Sequence, residues 1–195
     1  MLKALKLVSV VAVLFCLSGC GFVVSNYGVS AENIEALRNL KVEGTKISVS
    51  RFTSSRPGVS GISCRTAGDV ETPDKTPFDQ YIHDALVTEL KLAGLYAENG
   101  NVILSGNIEE LDFSSSIGAG KWIFRLKASS NNGKSLTVDS RHEFSTNWVG
   151  EKACQQVAQA FSISVQKLIH DLVATPQFAD LLAAPEVKTA GKEIQ

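Results

Sequence analysis

The chain lacks the features that mark several common functional classes. Its 19 basic and 20 acidic residues leave a net charge near zero, which argues against a nucleic-acid module held by phosphate contacts. Neither Cys64 nor Cys154 has a second cysteine or histidine at the spacing of a zinc site. No apolar run reaches the roughly 20 residues needed to cross a bilayer. The hydrophobic content of 44% nevertheless excludes a chain that is disordered throughout.

Catalytic motifs are equally scarce. Val59-Ser60-Gly61 lacks the surrounding pattern of a nucleophile elbow, and His142-Glu143 is not followed by the second histidine of a zinc protease. The acidic residues Asp69, Glu71 and Asp74 do not have the spacing of a calcium loop. We therefore expect no enzyme, no cofactor and no metal site. A cleft in which acidic side chains lie beside His142 would instead favour an enzyme.

The first 19 residues have the pattern of a secretory signal peptide. Lys3 and Lys6 give a positively charged start, Leu7–Leu17 is apolar apart from Ser9, and small residues follow. Eleven residues rise only about 16 Å as a helix, which is too short for a permanent transmembrane anchor. The segment 1–19 is therefore predicted to be removed.

The four residues Leu17-Ser18-Gly19-Cys20 end this leader. They resemble the lipobox of bacterial lipoproteins, in which a leucine precedes two small residues and an invariant cysteine. The resemblance implies that Cys20 becomes the first mature residue and carries acyl chains such as palmitate. Two or more chains hold a protein stably at a membrane, whereas one chain holds it marginally. The alternative is an ordinary secreted protein with a chance cysteine.

The residue after this cysteine is Gly21. In enterobacterial lipoproteins an aspartate at this position is a signal for retention in the inner membrane. The resemblance therefore implies the outer membrane, with the protein facing the periplasm. Residues 20–45 are expected to be a lipid anchor and tether, residues 46–183 an α+β domain, and residues 184–195 a flexible tail.

Two cysteines, Cys64 and Cys154, remain in the body of the chain. Paired cysteines beyond the inner membrane usually form a disulfide because the compartment is oxidising. Such a bridge closes a loop of about 90 residues and would add about 4 to 5 kcal/mol on the chain-entropy model. The alternative is a catalytic thiol with one of the three histidines as its partner.

The first third of the body has weak patterns. Ser30 is a candidate cap for a short helix that ends near Leu40, and Lys46–Phe52 alternates as a first strand. Thr53–Thr76 is predicted to be a long loop. It is either held down through Cys64 or it serves as a binding loop, whose candidate residues are Arg51, Arg56 and Arg65.

The remaining segments have stronger patterns. Thr76-Pro77 predicts a helix start with Thr76 as the cap, and Gly94 predicts its end. Three strands follow, with a change of parity near Glu109-Glu110 that predicts a β-bulge. The last of them is predicted over Leu136–Trp148, and a long amphipathic helix over Glu151–Ala174.

This order of elements predicts an α+β fold. The expected architecture is a two-layer sandwich, with a four-stranded mixed sheet and two helices on one face (β-α-β-β-β-α). The first strand can neighbour either the second or the fourth strand. The order resembles that of small envelope lipoproteins, among them the lipopolysaccharide-assembly lipoproteins, whose start is similar to Cys20-Gly21-Phe22.

Together these patterns predict a non-enzymatic, lipid-anchored cell-envelope protein that acts as an accessory or assembly factor for an envelope protein complex. Its expected partners are the membrane, through the acyl chains, and an envelope protein; nucleic acid is not expected. The alternative is a module that binds lipid or lipopolysaccharide in the seam between helices and sheet.

Overall fold

The computed structural model describes residues 21–40, 42 and 44–183. The predicted leader 1–19, the acylation candidate Cys20 and the predicted tail 184–195 lie outside these residues. The described part contains eight strands and four α-helices, with one 3₁₀ turn at Pro73–Lys75. The elements are β1 Phe22–Val23, α1 Ala31–Arg38, β2 Ile47–Val49, β3 Thr53–Ser54, β4 Gly61–Cys64, β5 Gly68–Glu71, α2 Phe78–Ala93, β6 Val102–Ser114, β7 Gly120–Ser130, β8 Ser135–Phe144, α3 Gly150–Val173 and α4 Phe178–Leu181.

The main sheet has the order β2-β6-β7-β8, with β3 also paired to β6. Strands β6, β7 and β8 form an antiparallel meander, and β2 and β3 run parallel to β6. The α+β class predicted from the sequence is confirmed. Of the two positions open to the first strand, β2 takes the one beside β6. The connection after α2 also hydrogen-bonds to β2: Ile47 donates to the carbonyl of Leu95 at 2.8 Å, and Ala97 donates to Ile47 at 2.9 Å.

The predicted β-bulge is present in β6. Its register against β7 shifts between Ile108 and Glu110, so that Ile108 lies opposite Leu126 and Leu111 lies opposite Phe124. The extra residue turns Leu111 back to the buried face on which Ile108 lies. The bulge therefore keeps one apolar face along all 13 residues of β6.

The segment 53–76 is not the long loop that its composition predicts. It contains β3 and a hairpin of β4 and β5, and β5 pairs in parallel with β1 to form a second, three-stranded sheet. The hairpin turns at Arg65 and Thr66, which both have positive φ. These residue types rarely adopt that conformation, so the composition gives no hairpin signal.

The segment expected to be a tether is packed against the domain from Phe22 onward. Strand β1 pairs with β5, and α1 begins at Ser30, whose hydroxyl accepts the amide of Asn33 as predicted for a cap. The side chains of Val24 and Leu37 belong to the buried core. The ordered domain thus includes these residues, which the sequence pattern assigned to a linker.

The helices cover the apolar face of the main sheet. Helix α2 ends at Gly94, whose φ of 79° provides the predicted left-handed stop. Its start differs from the prediction, because Pro77 is the cap and the carbonyl of Thr76 accepts the hydroxyl of Thr72 instead. Helix α3 buries the predicted stripe, and Trp122 of β7 donates its indole N–H to the carbonyl of Val157 at 3.0 Å.

Strand β8 ends at Phe144, four residues before the predicted end. The chain then turns to start α3: the amide of Asn147 donates to Oε1 of Gln156 at 2.7 Å, and the amide of Val149 donates to Oδ1 of Asn147 at 2.9 Å. This turn places Trp148 in solvent, with 76% of its side chain exposed.

Candidate functional site

The predicted disulfide is present between Cys64 and Cys154. It joins the last residue of β4 to the second turn of α3, with the two Cα atoms 5.9 Å apart. Both residues are buried. The bridge fixes the small sheet to the beginning of α3, so the thiols are not available as the catalytic group that the sequence left open.

Of the three candidate arginines, two act as donors inside the fold. The guanidinium of Arg65 donates to Oγ of Ser115 at 3.0 Å and to the carbonyls of Asn147 and Trp148 at 3.3 Å each. The guanidinium of Arg56 donates to the carbonyl of Leu111. Arg51 is exposed. Arg56 and Arg65 therefore tie loops of the fold together. A binding role for Arg51, Arg56 and Arg65 stays a prediction.

The contacts of Arg65 organise one end of the molecule, which we call the loop tip and define as residues 115–119 and 145–149. The amide of Gly118 donates to the carbonyl of Thr146 at 3.2 Å, and the hydroxyl of Thr146 donates to the carbonyl of Ser116. The connection between β6 and β7 is thereby held against the connection between β8 and α3.

A groove runs along the free edge of the main sheet. In the described chain β8 pairs only with β7, and beside it the second half of α3 leaves an open cleft of about 730 Å³. The charged residues that line this cleft are Asp139 and Arg141 from β8 and Lys167 and Asp171 from α3, and His170 of α3 lies among them.

The charges of this groove are fixed by local contacts. Lys167 lies 2.8 Å from the carboxylate of Asp171, which also accepts the hydroxyl of Ser140 at 2.6 Å. On β8, Asp139 accepts from Arg125 at 2.7 Å. The groove thus presents both signs of charge beside the backbone of β8, the edge strand of the sheet in the described part of the chain. Such an edge accepts an extended segment of another chain by main-chain hydrogen bonds, while side chains select its sequence.

A second polar cluster lies between α1, α2 and α3. Glu89 is fully buried, and its Oε1 accepts the hydroxyl of Tyr27, the amide of Ser30 at 3.0 Å and the side-chain amide of Asn33 at 3.3 Å. Its Oε2 has no hydrogen-bond partner among the described residues. Asn33 also donates to the carbonyl of Gln166 at 2.9 Å. The cluster fastens α1 to the other helices.

Burial changes the titration of Tyr27. Desolvation raises the pKa of its phenol, and the hydrogen bond to Glu89 and the negative charge of that residue raise it further. Both effects disfavour the phenolate, so the hydroxyl remains a donor to Glu89. The cluster can hold a segment in place; it has no nucleophile with an activating base.

The three histidines lie in different surroundings. His83 of α2 has Nδ1 at 2.8 Å from Asp84, and His170 of α3 has Nδ1 at 3.2 Å from Oδ1 of Asn33. His142 is half-buried on β8, where its ring stacks on Phe144. Its pKa is lowered by burial and by the positive charge of Lys167. Within residues 21–40, 42 and 44–183, no three metal-ligating side chains lie together.

The seam between helices and sheet is filled by aromatic rings. The ring of Trp122 lies 4.7 Å from that of Phe161 and 4.9 Å from that of Phe113, and the ring of Phe78 lies 5.2 Å from that of Phe161. Trp122 and Phe161 are completely buried. At these positions the seam is packed with protein side chains, and lipid binding in the seam stays a prediction.

No protein-family model matches the chain, and no curated protein matches its sequence. A solved structure with a similar fold is that of protein XCC0632 from Xanthomonas campestris, described under the family model DUF330. The TM-score is 0.55 and the sequence identity 11%, and the match covers 83% of this chain and 96% of that chain. At this identity the similarity concerns the fold alone.

None of the helices in the described ranges has both the length and the apolar composition required to cross a bilayer.

Sequence reasoning missed both the groove and the buried carboxylate. Glu89 follows Phe78, Ile82 and Ala85 at the helical spacing of the buried face of α2. This spacing could have predicted that its carboxylate is buried. The groove depends on which strand lies at the edge of the sheet. That arrangement follows from long-range pairing, which the sequence pattern does not contain.

Proposed function

We propose that the protein is a non-enzymatic, lipid-anchored component of the bacterial cell envelope that docks onto an envelope protein complex. The support for the anchor is the sequence: a charged start, a short apolar segment and Leu17-Ser18-Gly19-Cys20. Acylation at Cys20 would place the domain directly beside a membrane, because β1 begins at Phe22, two residues later. Residue 21 is glycine, and for this reason the outer membrane, on its periplasmic side, is the proposed site.

The observation that carries the docking function is the edge of β8 beside its groove, which no strand of residues 21–40, 42 and 44–183 pairs with. The occupant that fits it is an extended segment of the partner, added as a further strand. Asp139 and Arg141 would recognise charged side chains of that segment, with Lys167 on the facing helix. Charged side chains also protect free edges from nonspecific pairing, so these residues would limit docking to a matching partner.

Site-specific photo-crosslinking in cells tests this proposal. A benzophenone amino acid replaces Thr137, which is exposed at the groove, and in a matched control it replaces Ser105, exposed on the interior strand β6. We expect one discrete crosslinked protein from position 137 and none from position 105. Equal patterns at the two positions, or no product from position 137 in cells that express the protein normally, would contradict docking at β8.

A further inference from the structure

The loop tip carries the two most exposed large hydrophobic side chains of the described residues. Trp148 is 76% exposed and Ile117 is 73% exposed. They lie on the two connections that Gly118, Thr146 and Arg65 hold together. Both side chains are therefore exposed on connections that hydrogen bonds hold in place.

The first described residues lie near the same end of the molecule. Gly21, Phe22 and Val23 share a cleft with Glu151 and Gln155, which belong to the first two turns of α3. Glu151 follows Trp148 by three residues. Gly21 therefore lies beside the first turns of α3, which follow the loop tip in the chain, and Val23 is a further apolar side chain on this part of the surface, 60% exposed.

We infer that the loop tip contacts the lipid bilayer, with Trp148 and Ile117 seated at the membrane interface beside the acyl chains. This inference rests on the proposed anchor at Cys20. Tryptophan is enriched at membrane interfaces because its ring is apolar and its N–H is polar. Lys121 at the start of β7 and the exposed Lys152 on α3 flank the tip, in addition to Arg65, and offer contact with lipid phosphates. The acids beside them are Glu143, which lies opposite Lys121, and Glu151.

This contact would set the orientation of the domain. Helix α3 leads away from the tip, and Lys167 lies 17 residues beyond Gly150, which is about 25 Å along the helix at 1.5 Å per residue. The groove at β8 is lined by this far half of α3. A tip on the bilayer would therefore turn the groove away from the membrane, toward a partner.

The two tryptophans provide the test, because Trp122 is completely buried and Trp148 is largely exposed. The acylated protein is reconstituted into vesicles of phosphatidylethanolamine and phosphatidylglycerol, once with ordinary and once with brominated acyl chains. We expect brominated lipid to quench Trp148, and acrylamide to quench it severalfold less in vesicles than in the unacylated Cys20→Ala chain in buffer. Trp148→Phe should remove the quenchable component and leave the emission of Trp122.

A reporter elsewhere on the surface is the matched control. Ile163 is 53% exposed on α3 and lies about 20 Å along the helix from its first residue. In the Trp148→Phe background, Ile163→Trp should stay accessible to acrylamide and unaffected by brominated lipid. Quenching of both reporters to the same extent would overturn the inference, since it would indicate contact without a preferred orientation.

Three other outcomes separate this inference from the proposed function. If the protein sediments with the vesicles but Trp148 stays accessible to acrylamide and unquenched by brominated lipid, the inference is wrong and the anchor stands. The same holds if Trp148 becomes shielded only when a partner protein is added. If the purified chain carries no acyl group and does not sediment with vesicles, the proposed function fails and the inference fails with it.

Discussion

The hydroxyl of Tyr27 donates a hydrogen bond to the buried carboxylate of Glu89, 62 residues further along the chain. This contact links the segment before α1 to the middle of α2. It shows that the N-terminal part of the described chain is anchored by a polar cluster inside the fold, in addition to the strand pairing of β1 with β5.

Removing the Glu89 carboxylate should loosen this attachment. Glu89→Ala leaves the donors of Tyr27, Ser30 and Asn33 without their acceptor, and we expect a loss of about 2 to 3 kcal/mol in the free energy of unfolding. Urea denaturation measures the loss, and hydrogen exchange should be faster in α1. The exposed Glu98→Ala is the control, with a change within about 0.5 kcal/mol. A Glu89→Ala protein as stable as this control would contradict the structural role of the cluster.

The raised pKa of Tyr27 predicts sensitivity to alkaline pH. The phenol titrates near 10 in the unfolded chain and above that value in the fold, mainly because it is buried. Its contribution to stability is therefore full below about pH 10 and is lost as the pH rises further. Denaturation midpoints from neutral pH to about pH 11 should fall less steeply for Tyr27→Phe than for the natural chain. Parallel curves would contradict the assignment.

The bridge between Cys64 and Cys154 should stabilise the domain strongly. It closes a loop with a sequence separation of 90 residues, and the chain-entropy model gives about 4 to 5 kcal/mol for such a loop. We expect a reductant to lower the urea midpoint, and the double variant Cys64→Ala/Cys154→Ala to match the reduced protein with or without reductant. Alkylation of the unreduced protein should find neither thiol. An unchanged midpoint on reduction would show that the bridge does not stabilise the fold.

Charge reversal in the groove should weaken docking without unfolding the protein. Arg141 is exposed and pairs with the exposed Glu143 at 2.5 Å, a contact that contributes little stability. Arg141→Glu should reduce the crosslinking yield from position 137 severalfold while its denaturation midpoint stays close to that of the natural chain. Lys127→Glu, an equally exposed change on the neighbouring β7, is the control. Equal loss from the two variants would point to a nonspecific effect of charge.

The strands of the meander could be predicted because one face of each is buried and the other is wet. Trp122, Phe124 and Leu126 alternate with polar residues over β7, and the bulge in β6 appeared as a change of that alternation. The two long helices followed from their apolar stripes, and the disulfide followed from two cysteines without other partners. For the strands and helices, the spacing of apolar residues along the sequence predicts which side of the element is buried.

The small sheet and the groove could not be predicted in this way. Strands β1, β4 and β5 have two to four residues each, too few to show a period. The disulfide joins β4 to α3, and Arg65 holds the turn of the hairpin against the loop tip. The groove likewise arises where β8 becomes the edge strand, so its position depends on how distant strands pair.

The most direct test of the account is the mass of the mature N-terminus, obtained from the natural protein and from Cys20→Ala in cells supplied with labelled palmitate. The account predicts that the natural chain begins at Cys20, incorporates the label and fractionates with membranes, and that Cys20→Ala incorporates none. An N-terminus still at Met1, or a chain without acyl groups that fractionates away from membranes, would contradict it.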